Sequence, residues 1–340
     1  MPNVARSRPA SSPAVPENVV ELPPVPAARG RWLDWVAVAV SAGSLAGLAG
    51  GWHWLCDLTT HFRWYWLLLS LAGLTACLRW RRAVAVALFA IAAAFNARDL
   101  LPYWLPSSQA PTTVGADAGG DRRLFVISAN VHRVNRATDR ATAYLRDRSP
   151  DVAVVLEVDD AWAAALEGLA DVFPHRVIRP RPDNFGIAVL SRRPLADVEE
   201  RAFCETGYPS ILATIRHPAG DVRLIATHPF PPFNAACTAR LVRHLDGVAE
   251  AVRASPLPCI VAGDLNATPW SRPFRRLTAT GLVDSALAQG VQPTWHAGLP
   301  APRIPIDHIL VPADAVVLRR DVGPAIGSDH LPVEAEIVVR

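Results

Sequence analysis

Three kinds of polar side chain, carboxylate, amide and imidazole, recur where apolar runs begin or end within residues 122–340 of this 340-residue sequence. Asn130 closes "RLFVISAN", Glu157 follows "DVAVVL", His228 closes "RLIATH", and Asp264 with Asn266 sits in "CIVAGDLN". Asp307 and His308 open "DHILV", and Asp329 with His330 precedes "LPVEAEIVV". Each has an ordinary explanation when taken singly. Asn130 suits a turn, Glu157 a solvated strand end, and "GDLN" a turn or an Asx-capped helix start. So many coincidences together are improbable. Strand ends aim their side chains at a common rim, and layered α/β folds keep catalytic and ligand-binding groups there.

The rest of this region supplies the scaffold. Short apolar runs predict strands at 123–131, 151–160 and 184–191, and a hairpin at 210–228 turning at Pro218–Gly220. Further strands are predicted at 258–266, 305–311 and 333–339, with helices at 140–150, 161–173 and 236–255. Two half-domains of strands with flanking helices predict an α/β sandwich. There is no glycine-rich phosphate loop, no paired CxxC and no short-period repeat.

Four of these blocks carry a resemblance. Residues 123–340 resemble the endonuclease/exonuclease/phosphatase superfamily, which includes nonspecific deoxyribonucleases, abasic-site endonucleases, inositol polyphosphate 5-phosphatases and bacterial sphingomyelinases. Its ordered signature is an Asn after the first strand, a Glu after the second, a GDxN block and a terminal SDHxPV. Here "SANV", "LEV", "GDLN" and "GSDHLPV" stand in that order, the last two being the most specific. The resemblance implies an α/β four-layered sandwich of two sheets between helices. It also implies Mg²⁺- or Mn²⁺-dependent hydrolysis of phosphoric ester or pyrophosphate bonds.

Carried over by position, it makes Glu157 the principal metal ligand, a hard carboxylate for a hard cation, aided by Asn130 and Asp329. Asp307 would pair with His330 and fix its tautomer. Asp264 would align or deprotonate a water, Asn266 would hold a phosphoryl oxygen, and His228 would donate to the developing charge. Arg192 in "LSRRP" is a further candidate phosphate contact, and Asn184 a weaker one. His308 departs from the pattern and is assigned a structural role. Thr294 and Trp295 in "PTW" would floor the pocket.

The N-terminal third is of another kind. Residues 1–31, rich in Pro, Ala and Ser, predict a disordered cytoplasmic tail. Apolar runs at 32–55, 62–80 and 83–104 predict three transmembrane helices, since ~20 residues span the hydrocarbon core. A cleaved signal peptide would be shorter, start earlier and lack two following runs. The third run has an uninterrupted apolar core of only 13 residues. Its crossing is supported by interfacial aromatics: Trp32, Trp35 and Trp80 fall on one side, Trp52, Trp54, Trp64, Trp66, Tyr103 and Trp104 on the other. Arg6, Arg8, Arg29 and Arg31 precede the first run, and Arg79, Arg81 and Arg82 join the second to the third. Positive-inside logic therefore places residues 122–340 outside the cell. Residues 106–121 predict a flexible tether of ~20–25 Å root-mean-square span.

Charge narrows the substrate. All 34 basic residues are Arg, with nine against six acids in residues 1–120 and 25 against 25 afterwards. A nucleic-acid enzyme normally carries a basic stripe, and the only dense basic loop is "RVIRPRP", 176–182. The expected substrate is a lipid phosphate or pyrophosphate at the outer membrane surface, with nucleic acid disfavoured and no protein partner inferable. The layout of three spans plus this domain resembles actinobacterial glycopeptide-resistance membrane proteins (vancomycin, teicoplanin). That implies undecaprenyl pyrophosphate or a related cell-wall precursor. The alternatives are an extracytoplasmic nuclease, a sphingomyelinase-like phosphodiesterase, or a non-catalytic scaffold. Cys204 and Cys237 flank the catalytic loops and are the pair available for a disulfide in an oxidising compartment.

Overall fold

The computed structural model describes residues 30–80, 82–105, 122–299 and 301–338. The predicted tail before Gly30 and the predicted tether lie outside the described residues. Four helices come first: α1 (Arg31–Ala46), α2 (Trp54–Leu58), α3 (Arg63–Trp80) and α4 (Ala83–Leu100). The three long ones pack together around Leu33, Ala37, Cys77, Ala85, Phe89 and Ala92. Their aromatic ends sort as the sequence requires. Trp32 meets Trp80 at 6.0 Å between ring centroids at one end, and Trp64 meets Trp104 at 5.2 Å at the other.

Segments Arg31–Ala49 and Ala83–Tyr103 are long and apolar enough to cross a membrane; α3, which starts at Arg63, is not among them. Arg63 is buried, with Nη1 donating to Ser44 O at 2.9 Å and Nε 3.2 Å from an Asp99 carboxylate oxygen. Much of the bundle's outer surface is apolar and uncovered, including Trp35 at 75%, Leu78 at 72% and Val84 at 70% exposure.

The C-terminal part holds two six-stranded sheets. One runs β11 (Val316–Val322), β12 (Val333–Val338), β1 (Arg123–Asn130), β2 (Val152–Leu156), β4 (Ile187–Ser191), β3 (His175–Arg179). The other runs β5 (Leu195–Ala202), β6 (Pro209–Ile215), β7 (Val222–Ala226), β8 (Cys259–Asp264), β10 (Asp307–Pro312), β9 (Leu282–Asp284). Their facing sides share a core of Leu124, Val154, Leu224, Ile260 and Ile309. Helices α5 (Thr138–Arg148) and α6 (Asp160–Glu167) cover one outer face, α7 (Ala235–Ala254) and α8 (Arg272–Thr278) the other. Central strands buried on both faces carry continuous apolar runs, which is why the sequence shows them plainly. The four strands it does not show, β3, β5, β9 and β11, are the edges of the two sheets. Edge strands such as "LADVEERA" carry charge that blunts pairing and hides the pattern.

Strand polarity builds the site. β1 and β2 are parallel, as are β7 and β8, so each pair ends at one rim. β10 runs antiparallel to β8 and sets Asp307 opposite Asp264; β12 runs antiparallel to β1 and brings its leading residues to the same rim.

The bundle does not hang from its linker. Leu100, Tyr103, Trp270 and Ala286 form one core across the junction, with the Trp270 indole donating to Asp99 O at 3.1 Å. The Arg272 amide donates to Asp57 Oδ1 at 2.8 Å, and the Tyr65 hydroxyl to Arg303 O at 3.0 Å. Direct packing, not the reach of a tether, sets the domain's position.

Candidate active site

Asp264 Oδ2 is the hub of the rim. Asn130 Nδ2 donates to it at 3.2 Å, and His228 Nε2 and His330 Nε2 stand 3.4 and 3.6 Å away. Its other oxygen accepts the Asn266 amide at 2.9 Å. Asn130 Nδ2 also donates to Glu157 Oε1 at 3.0 Å, and the Arg133 amide to Glu157 Oε2 at 3.1 Å. His330 Nδ1 faces Asp307 Oδ2 at 2.9 Å. In that bond Nδ1 donates to the carboxylate, while Nε2 faces Asp264.

Backbone strain marks the same place. Glu157 (φ 62°) and Asn266 (φ 48°) lie in the left-handed region, sparsely populated for such residues and common at active sites. Gly263 has φ 155°, and a Cβ there would fall 1.9 Å from Thr227 O. The missing side chain lets the end of β7 close on β8 and brings His228 against Asp264. Gly263→Ala is therefore expected to cost at least ~2 kcal/mol of stability by thermal or urea unfolding. An unchanged midpoint would mean the strand ends are free to separate.

Electrostatics follow from burial and neighbours. Burial works against a charged His330, but Asp307 and Asp264 outweigh it and push the imidazole up to about 10. Burial likewise opposes ionised Asp264, yet His330, His228 and the Asn266 amide bring it down to about 2. His228 is raised because Asp264 and Glu157 overcome its burial.

A divalent cation fits this donor set. Glu157, Asp264, Asp307 and Asp329 crowd one rim, and no arginine ion-pairs with any of them among the described residues. Asp307 Oδ1 and Asp329 Oδ1 are shielded from solvent without a hydrogen-bond partner, although His132 Nδ1 stands 3.4 Å from the latter. Hard oxygens suit Mg²⁺ or Mn²⁺. Atoms of Asp264, Asp307 and His330 also come within 4.8 Å of one another. There, however, the His330–Asp307 bond already uses two of the donors. Glu157 and Asp329 line the same cleft and offer two further carboxylates. Asn130 turns its amide nitrogen to both Glu157 and Asp264, so here it cross-links the carboxylates instead of offering them its oxygen.

Other expected residues fall variously. Asn266 Nδ2 is tied to Pro229 O at 3.0 Å at the cleft edge. Trp295 donates its indole N–H to Asp329 Oδ2 at 3.1 Å, and Thr294 Oγ1 receives the Asp307 amide at 3.4 Å, so both brace the floor. His308 points away from the cleft, as alternation along β10 requires, and binds Ala267 O at 3.0 Å.

Arg192 is a correction. β4 runs antiparallel to β2, so its end lies at the rim opposite Glu157, and Arg192 Nη1 binds Ser149 O at 3.1 Å, away from the cleft. The cleft's guanidinium is Arg133, whose Nε donates to Asn184 Oδ1 at 3.1 Å; both residues line it. Arg133 and His132 were missed, and their only sequence signal is that they follow Asn130. Cys204 and Cys237 are free thiols. The basic loop is neutralised by acids: Arg176 by Glu167, Arg179 by Glu200 and Arg181 by Asp183.

The cleft measures about 870 Å³ and is divided in character. Its floor is the polar set above. Its walls are Phe185, Phe230, Phe233, Ile304 and Ile306, with Trp54, Leu58, His61 and Phe62 from the segment joining α1 to α3.

Comparison with known proteins covers the region after the bundle. The sequence profile described as Endonuclease/Exonuclease/phosphatase family matches residues 126–330. No protein of curated function matches the sequence. An endonuclease/exonuclease/phosphatase structure from Beutenbergia cavernae DSM 12333 is 25% identical, with TM-score 0.55, covering 64% of this chain and 72% of its own. The 3' phosphatase NExo from Neisseria, bound to a product DNA hairpin, is 23% identical, with TM-score 0.53 over 64% of this chain and 100% of its own. D. rerio TDP2 with a single-stranded DNA product is 18% identical, with TM-score 0.53 and the same coverages.

Proposed function

The chain belongs to the endonuclease/exonuclease/phosphatase family, whose members are metal-dependent hydrolases of phosphoester bonds, and from that premise we propose a membrane-anchored enzyme that cleaves a phosphate or pyrophosphate ester of a lipid. One observation carries this reading: the catalytic rim is fused, through the Leu100–Tyr103–Trp270–Ala286 core, to a bundle whose outer face is apolar. An uncovered apolar face of that extent needs a non-aqueous partner. In a bilayer it would hold the cleft at headgroup height. Three crossings, with the arginine-rich end inside, would place the cleft outside the cell. Undecaprenyl pyrophosphate or a related cell-wall precursor is the candidate there.

Glu157 and Asp329 would hold the cation, with Asn130 fixing the Glu157 carboxylate. Bound there, a divalent ion supplies charge neutralisation for the phosphoryl oxygens. Asp264 accepts from the attacking water and orients it. Asp307 locks His330 with Nε2 toward the cleft, where it donates to the phosphoryl group. His228 adds a second donor on the same side, and Asn266 borders the oxygen's position.

A second reading has its own support. Phe185 stacks on Tyr208 at 3.6 Å and on Phe230 at 5.5 Å between centroids, and stands 5.2 Å from the His228 ring. Such a platform suits an unstacked nucleobase. Full-length protein in detergent, assayed with polyprenyl pyrophosphate, sphingomyelin and DNA, separates the readings. Phosphate release from the lipid, lost on EDTA and restored by Mg²⁺, is the expected result. Lipid left intact while DNA is cut would select the nuclease.

A further inference from the structure

The segment between α1 and α3 has a use beyond turning the chain. α2 and the residues after it end α1's excursion at the domain side of the bundle and pack against α7. The segment is pinned at two points, Asp57 on the Arg272 amide and Tyr65 on the Arg303 backbone. Beside these pins Trp54, Leu58 and Phe62 face the same cleft as Asp264 and His330. They stand half-buried, opposite Phe233, which is 73% exposed, and near buried Ile304. Trp52, in the preceding turn, is 92% exposed, and Trp64 and Trp104 meet at the same end of the bundle. Tryptophans at such a level mark a membrane–water boundary. The apolar side of the cleft therefore continues into the rim where hydrocarbon would begin.

Resting on the lipid-phosphoesterase reading above, we infer that Trp54, Leu58 and Phe62 form a subsite for the first carbons of the substrate's hydrocarbon chain. The polar floor takes the phosphate and the bundle takes the tail. The anchor is thus also a specificity element. A tail lying along this wall gains contact with each added apolar unit. A soluble phosphomonoester has no hydrocarbon to lay along the wall and gains none of this contact.

The test uses full-length protein at one fixed detergent concentration, with five-, ten- and fifteen-carbon isoprenyl pyrophosphates as probes. kcat/KM should rise at least ~10-fold from the five- to the fifteen-carbon substrate, mainly through KM. Leu58→Asp should bring that ratio near one, and Leu58→Met should preserve it, with both variants melting cooperatively. Partition into micelles is common to all three proteins and cancels in the comparison. Equal rates at every chain length, or an unchanged ratio in Leu58→Asp, would overturn the subsite and leave the lipid reading intact. Failure to release phosphate from any isoprenyl substrate, with DNA cleaved, would overturn the lipid reading and the subsite with it. Should Leu58→Asp fail to fold, Phe62→Ser carries the same expectation.

Discussion

His330→Ala is expected to lower kcat about 1,000-fold and to lower the melting temperature as well. The imidazole is held from both sides, by Asp307 on Nδ1 at 2.9 Å and with Asp264 3.6 Å from Nε2. Removing it takes away the group proposed to donate to the phosphoryl oxygen. It also leaves two buried carboxylates close together without the charge that now separates them. Asp307→Asn should then show a smaller but large loss, because an amide at that position offers the ring no anion and lets the tautomer reverse. Single-turnover phosphate release with and without Mg²⁺ is the measurement. Wild-type rates in His330→Ala would mean that the catalytic group lies elsewhere, whatever the fold.

Glu157→Ala should weaken divalent-cation binding by more than ~100-fold, since loss of a mere supporting residue already costs ~10–100-fold at such sites. Mn²⁺ titration followed by calorimetry or electron paramagnetic resonance reads this without any substrate. Asn130→Ala should fall within that supporting range, because in this structure its amide nitrogen braces Glu157 and Asp264. The two variants together rank ligand against brace. Mn²⁺ affinity retained in Glu157→Ala but lost in Asp307→Asn would instead place the ion among Asp264, Asp307 and His330.

How much of this was visible in the sequence depended on strand direction. Asn130, Glu157, His228, Asp264, Asp307, Asp329 and His330 all stand at strand ends, and parallel or antiparallel pairing brings those ends to one rim. Their assembly was legible because strands of this core are apolar throughout and stop abruptly at a polar residue. Arg192 obeys the same local rule, yet the antiparallel course of β4 carries it to the far rim. Polarity is a pairing property that no single strand announces. The edge strands were hidden by their charges. Least legible was the wall from Trp54 to Phe62. Its apolar residues look the same in sequence whether they face lipid, solvent or a cleft built far downstream. Only the contacts of Asp57 and Tyr65 fix which.

The seam at Trp270 also bears on inheritance. In many proteins an anchor and an enzyme are joined like beads, and recombination can exchange either one. Here a gene broken before Arg122 would yield an enzyme with its acids and imidazoles in place but an open flank. Trp270 and Ala286 would be uncovered, and one side of the cleft would be missing. Joining another helical segment to the fragment would not restore the wall. A change on either side of the seam is therefore felt by the other.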